Sequence, residues 1–369
     1  MDAEPGHPSA LTDVEAGPPP ERVSLSDYRS VAFMGAMLIA AQALALLVAA
    51  PFEAAGVKAF EDPEDPKNPF IYLGIIVGFT ALILLIARLK KQWIIQLLIL
   101  GSIGATIVYV FWPLLTQWVG LNLAAQQVLA ALGLLSLFLV VVQFPWKTWM
   151  TVLAGLLLLA WPLAAYGLAI GDLAMVTACA LAVALTWLLY KYPEWWVVDA
   201  VGVLVSAGAI AIFGISFGIL PALILLVALA VYDYISVYRT KHMISLADNV
   251  MQLRLPIMLI VPKTRGYSFL EESTHLKDDL AKGKKRDAMF MGLGDVVIPS
   301  ILAVVAFVKG LDLATWGALA GTLLGFLFLM TMVLKGKAHA GLPSLNGGAI
   351  LGFFLGFYAD TGHLAFWPL

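Results

Sequence analysis

Long apolar stretches, separated by short polar segments, recur along most of the 369-residue chain. Stretches of about 18 or more apolar residues are typical of helices that cross a lipid bilayer. Eleven such stretches are predicted spans, at residues 31–50, 70–88, 93–115, 121–143, 148–170, 173–190, 196–214, 216–238, 289–308, 313–334 and 342–359. The pattern therefore predicts an all-α polytopic membrane protein.

Two parts of the chain depart from this apolar pattern. Residues 1–29 are polar and proline-rich with no apolar period, which predicts a disordered tail. Residues 239–288 carry clustered charges and form a long polar loop between two predicted spans. We therefore interpret residues 30–369 as a single transmembrane domain with one solvated loop.

The composition supports a membrane protein and excludes other classes. Apolar residues make up 61% of the chain and charged residues 12%, whereas charged residues make up about 25% of a typical soluble domain. The single cysteine, Cys179, excludes an internal disulfide framework. The chain has no basic patch with interleaved aromatic residues, so nucleic acid is not an expected partner. The lipid bilayer is the expected environment.

The distribution of lysine and arginine predicts the orientation in the membrane. When the N-terminus is placed inside, 19 of the 22 basic residues fall in inside segments and 3 fall outside. Because cytoplasmic loops are enriched in lysine and arginine, we predict a cytosolic N-terminus and an outside C-terminus in the cell membrane. The asymmetry requires an odd number of spans, which nine spans satisfy as well as eleven.

Two acidic residues lie inside predicted spans on either side of the polar loop. Asp233 comes six residues before Arg239, which is about 9 Å along a helix. Asp295 comes nine residues after Arg286, or about 13 Å by the same rise. A carboxylate at the centre of the bilayer costs roughly 2.5–3.5 kcal/mol. Since both spans end at the same loop, we expect the two carboxylates at nearly one depth.

Glycine and proline accompany these acids. Gly292 and Gly294 come just before Asp295 and remove side chains there. Residues 341–348 read Gly-Leu-Pro-Ser-Leu-Asn-Gly-Gly. Pro343 comes six residues after Lys337, which is about 9 Å at helical rise. These residues predict an irregular backbone that lines a wet cavity beside the acids. Such a backbone could pair with an extended peptide segment.

Two neighbouring carboxylates can hydrolyse a peptide bond without a metal or an organic cofactor. They share one proton, because both cannot easily ionise at close range. The ionised acid takes a proton from water while the protonated acid donates to the carbonyl oxygen. The sequence lacks the His-Glu-x-x-His zinc motif and the Gly-x-x-x-x-Gly-Lys-Ser/Thr phosphate loop. None of the five histidines lies inside an apolar core, so a serine nucleophile in the bilayer has no base.

Other interpretations of the buried acids stay open at this point. A capped carboxylate near a helix end would make Asp233 structural. In a transporter or channel, Asp233 and Asp295 would relay protons or bind cations, although no inverted repeat is evident. An inactive scaffold that only holds helices is a third reading. Asp199, which follows Trp196 near Lys191, is more simply explained as an interfacial residue with a lysine partner.

At these positions the chain resembles the presenilin and signal-peptide-peptidase family of intramembrane aspartyl proteases, and is most similar to its archaeal homologues. Tyr232-Asp233 resembles the Tyr-Asp motif of the family. Residues 292–299, Gly-Leu-Gly-Asp-Val-Val-Ile-Pro, are similar to its Gly-x-Gly-Asp motif. Residues 191–195, Lys-Tyr-Pro-Glu-Trp, are similar to a presenilin segment upstream of the first acid. The family's Pro-Ala-Leu motif appears at 343–345 as Pro-Ser-Leu, and the resemblance is specific over residues 191–356.

The resemblance implies that Asp233 and Asp295 are the catalytic pair of an aspartic endopeptidase that cuts transmembrane segments or remnant signal peptides. It implies no metal and no cofactor, and it leaves accessory subunits undetermined. The family fold has nine helices, so the surplus spans are expected to form an inserted hairpin at about 121–170 within a protease domain of residues 30–369. The other motif residues are expected in the active site or in substrate binding: Tyr232, Gly292, Leu293, Gly294, Pro343, Ser344 and Leu345.

Overall fold

The structure is a computed structural model that describes residues 24–54, 56, 58–88, 92–119, 170–240, 258–264, 266–270, 287–335 and 339–364. Within these residues the chain forms nine α-helices and one two-stranded antiparallel sheet. Most of the predicted tail, of the predicted hairpin at 121–170 and of the polar loop at 239–288 lies outside the described residues. The predictions about those parts therefore stay predictions, except that residues 258–262 of the predicted solvated loop form a buried strand, so that prediction is wrong there.

Each described helix covers most of one predicted span, and seven of the nine are long and apolar enough to cross a membrane. A π-helical turn (Ser236–Thr240) follows the sixth helix. The strands are β1 (Met258–Pro262) and β2 (Ala288–Gly292). The helices are α1 (Leu25–Ala54), α2 (Asn68–Arg88), α3 (Gln92–Val119), α4 (Ile170–Lys191), α5 (Trp195–Ser216), α6 (Ile219–Ile235), α7 (Leu293–Val308), α8 (Asp312–Val333) and α9 (Gly341–Thr361).

The first helix begins earlier than the apolar pattern indicates. Helix α1 starts at Leu25, so residues 25–29 are helical and do not belong to a disordered tail. A reciprocal cap explains this start: the N–H of Ser24 donates to the Asp27 carboxylate at 3.0 Å, and the N–H of Asp27 donates to the Ser24 hydroxyl at 3.3 Å. Such pairs satisfy N–H groups that have no partner inside the helix.

The β1–β2 hairpin precedes the helix that carries the second acid, and hydropathy did not predict it. The strands pair antiparallel, with Ile260 opposite Phe290. Strand β2 takes the first residues of the span predicted at 289–308, so that prediction is wrong over this stretch. Helix α7 begins only at Leu293, because Gly292 is a poor helix former and the preceding residues pair with β1 instead.

Helix α7 lies at the centre of the described bundle. It packs against α5, α8 and α9 and also contacts α1 and α6, and ten of its 16 residues are buried. A helix that is apolar nearly all round is typically surrounded by protein. Its buried Ser300 hydroxyl donates to the Val296 carbonyl at 2.7 Å and accepts the Gln42 amide at 3.0 Å. The helix that begins with the second acidic motif is therefore held on several sides.

Helices α8 and α9 pack with their backbones in contact. Glycines recur at every fourth position on each helix: 317, 321 and 325 on α8, and 348, 352 and 356 on α9. A β-carbon added at any of them would collide with backbone atoms of the other helix. Small residues at this spacing are typical of closely packed membrane helices.

Helix α9 runs without interruption from Gly341 to Thr361, so the irregular backbone expected across 341–348 is wrong. Pro343 lies in the first turn, where its missing N–H would have no partner inside the helix. Gly347 and Gly348 are helical, and Gly348 serves the close contact with α8.

Segments predicted on the same side of the membrane contact one another. On the predicted outer side, the Lys309 ammonium pairs with the Glu64 carboxylate at 2.5 Å, which joins the turn after α7 to the loop after α1. On the predicted inner side, Lys263 after β1 pairs with Asp27 at 2.9 Å. The described fold is consistent with the predicted alternation of the helices, whereas the assignment of one face to the cytosol stays a prediction.

Candidate active site

Asp233 lies two residues before the end of α6, and its side chain is 6% exposed. The flanking Tyr232 and Tyr234 are both exposed, so the helix turns the carboxylate inward and the two phenol rings outward. The π-helical turn follows directly. Turns of this kind occur frequently at functional sites.

Asp295 lies in the first turn of α7 and is half-buried. Gly292, the last residue of β2, is the N-cap of the helix and has extended backbone angles. A β-carbon on Gly292 would lie 3.5 Å from a carboxylate oxygen of Asp295. The strand-to-helix junction therefore holds the carboxylate near a helix N-terminus, where negative charge is favoured.

The two carboxylates meet at the start of α9. One carboxylate oxygen of Asp233 accepts the N–H of Leu342 at 3.1 Å, and the N–H of Gly341 also interacts with this carboxylate. A β-carbon on Gly341 would lie 3.1 Å from one carboxylate oxygen of Asp295 and 3.2 Å from the other. The charges of Asp233 and Asp295 are close enough to interact. Both acids and the glycine-proline segment therefore converge.

Five further motif residues are close in the chain to Asp233, Asp295 or Gly341. Tyr232, Gly292 and Gly294 are exposed. Pro343 and Ser344 are half-buried in the first turn of α9. Of the motif glycines, Gly292 has the Asp295 carboxylate within 4 Å of its β-carbon position, whereas Gly294 has nothing within that distance.

Two motif leucines point into the protein core. Leu345 is fully buried, so its side chain does not line an open cleft. Leu293 packs over α5, where a β-carbon on Gly202 would lie 3.3 Å from a Leu293 methyl group. Both leucines therefore pack in the core, Leu345 at the beginning of α9 and Leu293 at the beginning of α7.

Asp199 in α5 does not join the two other acids. It is buried, and its carboxylate accepts the N–H of Ile260 in β1 at 2.7 Å. The predicted structural role fits this contact, but the partner is the backbone of the hairpin and not the expected Lys191. The hairpin places a backbone donor against α5 that hydropathy could not indicate.

Asn346, in the second turn of α9, is a residue whose role sequence reasoning missed. Its fully buried amide donates to the Leu226 carbonyl at 2.8 Å, which joins α9 to the acidic helix α6. A single asparagine inside an apolar span was the available signal, because polar side chains in membrane helices often bond across to a neighbour.

The arrangement provides what acid–base hydrolysis of a peptide bond needs. Neighbouring carboxylates hold one proton between them, so one can accept a proton while the other donates one. The N-termini of α7 and α9 both lie at the pair, and their free N–H groups favour negative charge there.

Comparison with known proteins identifies the family. The family model described as signal-peptide peptidase, presenilin aspartyl protease matches residues 35–178 and 163–361. The chain belongs to this family. The match spans the described helices from within α1 to the end of α9.

Two solved structures of a presenilin family intramembrane aspartate protease are similar to the chain. The structure in the C222 space group is 33% identical, with 88% of this chain and 98% of that chain covered and a TM-score of 0.56. The structure in the P2 space group is 34% identical, with 88% and 96% covered and a TM-score of 0.56. No curated protein matches the chain. The protein is therefore a helical membrane protein of presenilin-like fold and an intramembrane aspartyl protease, as the sequence predicted.

Proposed function

We propose that Asp233 and Asp295 are the catalytic pair of this intramembrane aspartyl protease. The observation that carries the proposal is their convergence on the first turn of α9. Asp233 accepts the Leu342 N–H at 3.1 Å, and the Asp295 carboxylate lies against Gly341. Two acids from different helices are brought to one point of the bundle, although a carboxylate within a membrane-spanning segment is costly.

In the proposed reaction, one carboxylate is ionised and the other is protonated. The ionised carboxylate takes a proton from a water molecule as the water oxygen bonds to the carbonyl carbon of the substrate. The protonated carboxyl donates its proton to the carbonyl oxygen. When the tetrahedral intermediate collapses, the carboxyl that took the water proton gives it to the leaving amine as the C–N bond breaks. The other carboxylate takes the proton of the hydroxyl group as the carbonyl re-forms, which returns the pair to its starting state.

We propose that the substrates are single-span membrane proteins or remnant signal peptides. An apolar face of α6 is exposed beside Asp233, with Val231, Tyr232 and Ile235 on it. A transmembrane segment can approach such a face from the bilayer. Peptide bonds in that segment would then reach the acids without leaving the membrane.

The residues that border the acids are proposed to form the substrate site. Tyr232, Gly292 and Gly294 are exposed, and the glycines leave room for a substrate backbone. Pro343 and Ser344 in the first turn of α9 lie next to Gly341, and Ser344 keeps the small size of the family's alanine. Leu293 and Leu345 are proposed to support the site from the core.

We propose that residues 30–369 form one protease domain with a cytosolic N-terminus and an outside C-terminus. The family match, from residue 35 to residue 361, lies within this range. The charge asymmetry of 19 to 3 supports the orientation. The polar loop at 239–288 is then cytosolic, and the two surplus spans are an inserted hairpin at 121–170.

Replacement of either acid tests the catalytic pair. Asp233→Asn and Asp295→Asn keep the side-chain volume but cannot exchange the required proton. We expect each variant to lower cleavage of a tagged transmembrane peptide by about 10²–10⁴-fold, the usual contribution of a general acid or base. Asp312→Asn, at the exposed start of α8, is the control and should keep full activity. Turnover by a folded Asp233→Asn or Asp295→Asn variant at the unaltered rate would remove that acid from the mechanism.

The pH dependence tests whether the two acids act as a pair. A pair that shares one proton is active in its singly protonated state, so the rate should rise and then fall with pH. The measurement is kcat/KM for the tagged peptide across acidic and neutral pH, beside thermal unfolding of the same samples. A flat profile over that range would contradict a shared proton.

A further inference from the structure

Helix α5 carries a buried acid outside the proposed catalytic pair. Asp199 is 4% exposed, and one of its carboxylate oxygens accepts the Ile260 N–H at 2.7 Å. The other oxygen has no hydrogen-bond partner among the described residues. Burial of a carboxylate is costly unless hydrogen bonds within the protein replace those to water. The position of Asp199 therefore calls for an explanation, and its hydrogen bond to Ile260 is where to look for one.

The bond from Ile260 shows what Asp199 does to the hairpin. Ile260 lies opposite Phe290 in the β1–β2 ladder. Because its N–H is bound by Asp199, that N–H faces away from β2. The carboxylate therefore occupies the outer edge of β1, where the backbone of a neighbouring strand would otherwise lie.

The same face of α5 also contacts the start of the second acidic helix. Gly202 lies three residues after Asp199, so the two share a helix face. A β-carbon on Gly202 would lie 3.2 Å from the Leu259 side chain and 3.3 Å from the Leu293 side chain. Leu259 belongs to β1, and Leu293 is the first residue of α7.

We propose that Asp199 is a positioning residue for Asp295. Its bond to Ile260 fixes the hairpin against α5, and Gly202 seats Leu293 on the same face. The junction of β2 and α7 is held between them, and this places the Asp295 carboxylate next to Gly341. The proposal rests on the proposed catalytic role of Asp295.

Two substitutions at Asp199 distinguish the effect of its hydrogen bond to Ile260 from the effect of its side-chain volume. Asp199→Asn keeps an oxygen that accepts the Ile260 N–H, whereas Asp199→Leu keeps the bulk and loses the acceptor. With full-length purified protein and the tagged transmembrane peptide, we expect kcat of Asp199→Asn within about threefold of the unaltered enzyme. We expect kcat of Asp199→Leu to fall by about tenfold or more with KM within about twofold, because small displacements of reacting groups reduce the chemical step strongly.

Ser206→Ala is the matched control on the same helix. Ser206 is buried, and its hydroxyl has no hydrogen-bond partner among the described residues, so its removal should leave kcat unchanged. All rates are normalised to the folded fraction from thermal unfolding. Hydrogen exchange of residues 258–262 and 288–292 gives a second measurement, and it should accelerate in Asp199→Leu and not in Ser206→Ala.

If Asp199→Leu does not fold, Gly202→Ala perturbs the same junction through a different contact, namely that of α5 with Leu293. The added methyl group presses on Leu293 and should lower kcat with little change in KM. The proposal would be overturned by an unaltered kcat in a folded Asp199→Leu variant. If only Gly202→Ala folds, an unaltered kcat in that variant would overturn it. An Asp199→Asn variant as inactive as Asp199→Leu would also overturn it, since the carboxyl group itself would then be required. Failure of the catalytic assignment is a separate result, namely cleavage by Asp295→Asn.

Discussion

At the scale of single residues, Gly341 decides how closely the proposed catalytic acids approach α9. Its N–H interacts with the carboxylate of Asp233, and the absence of its side chain leaves room for the carboxylate of Asp295. No conformational need for glycine is involved, because Gly341 is helical. The glycine is required here for space alone.

Gly341→Ala should therefore lower activity more than stability. The added methyl group would lie 3.1 Å from one Asp295 oxygen and 3.2 Å from the other, so the carboxylate must move by a few tenths of an ångström. We expect kcat for the tagged peptide to fall about tenfold or more, with the thermal midpoint nearly unchanged. Gly347→Ala on the same helix is the control, since a methyl group there meets nothing within 4 Å. Equal activity in the two variants would show that this contact has no part in catalysis.

The site could be predicted from the sequence wherever a side chain carried the signal. Asp233 and Asp295 were found because an acid inside an apolar span is costly and therefore needs an explanation. Leu342 was not found, because its contribution is a backbone N–H that any residue except proline supplies. The partner of Asp199 was not found either, since Ile260 is 61 residues away in the chain.

At the scale of elements, the helices were predicted because each is a long apolar run. The hairpin was missed because its strands are too short to stand out in the same pattern. Strand β2 was predicted as the end of a span, because a five-residue apolar strand cannot be told from the end of a buried helix by its pattern alone. Strand β1 lies inside the loop that its flanking charges indicated as solvated. The start of α9 was predicted as irregular because it holds glycine and proline. Both residue types are compatible with its helix, since proline fits the first turn and the glycines serve packing against α8.

The contact between α8 and α9 predicts a sharp difference between two neighbouring glycines. In Gly348→Ala the methyl group would collide with the Gly321 carbonyl, so we expect a loss of about 1–3 kcal/mol in the free energy of unfolding. In Gly347→Ala the methyl group enters open space, and the better helix propensity of alanine should stabilise the protein by up to about 1 kcal/mol. Thermal unfolding of both variants in the same detergent measures the difference. Equal destabilisation of the two would contradict close backbone packing between these helices.

At the scale of the whole molecule, the fold separates two faces, and the charges predict which face is the cytosolic one. The turn after α7 joins the loop after α1 on one face through Lys309 and Glu64. The start of α1 joins the segment after β1 on the other through Asp27 and Lys263. Contacts define the two faces but carry no direction relative to the cell. Direction depends on the excess of lysine and arginine, which is a property of the sequence.

Thiol labelling in intact cells tests the direction. The native Cys179 is exposed, so Cys179→Ser is made first to remove its background. Thr264→Cys then places a thiol at an exposed position after β1, and His363→Cys places one at an exposed position after α9. An impermeant reagent should label His363→Cys in intact cells and should label Thr264→Cys only after permeabilisation, because the basic loop is expected in the cytosol. Labelling of Thr264→Cys and shielding of His363→Cys in intact cells would reverse the orientation. The acids would keep their geometry in that case, but they would lie nearer the outer surface of the membrane than the cytosolic one.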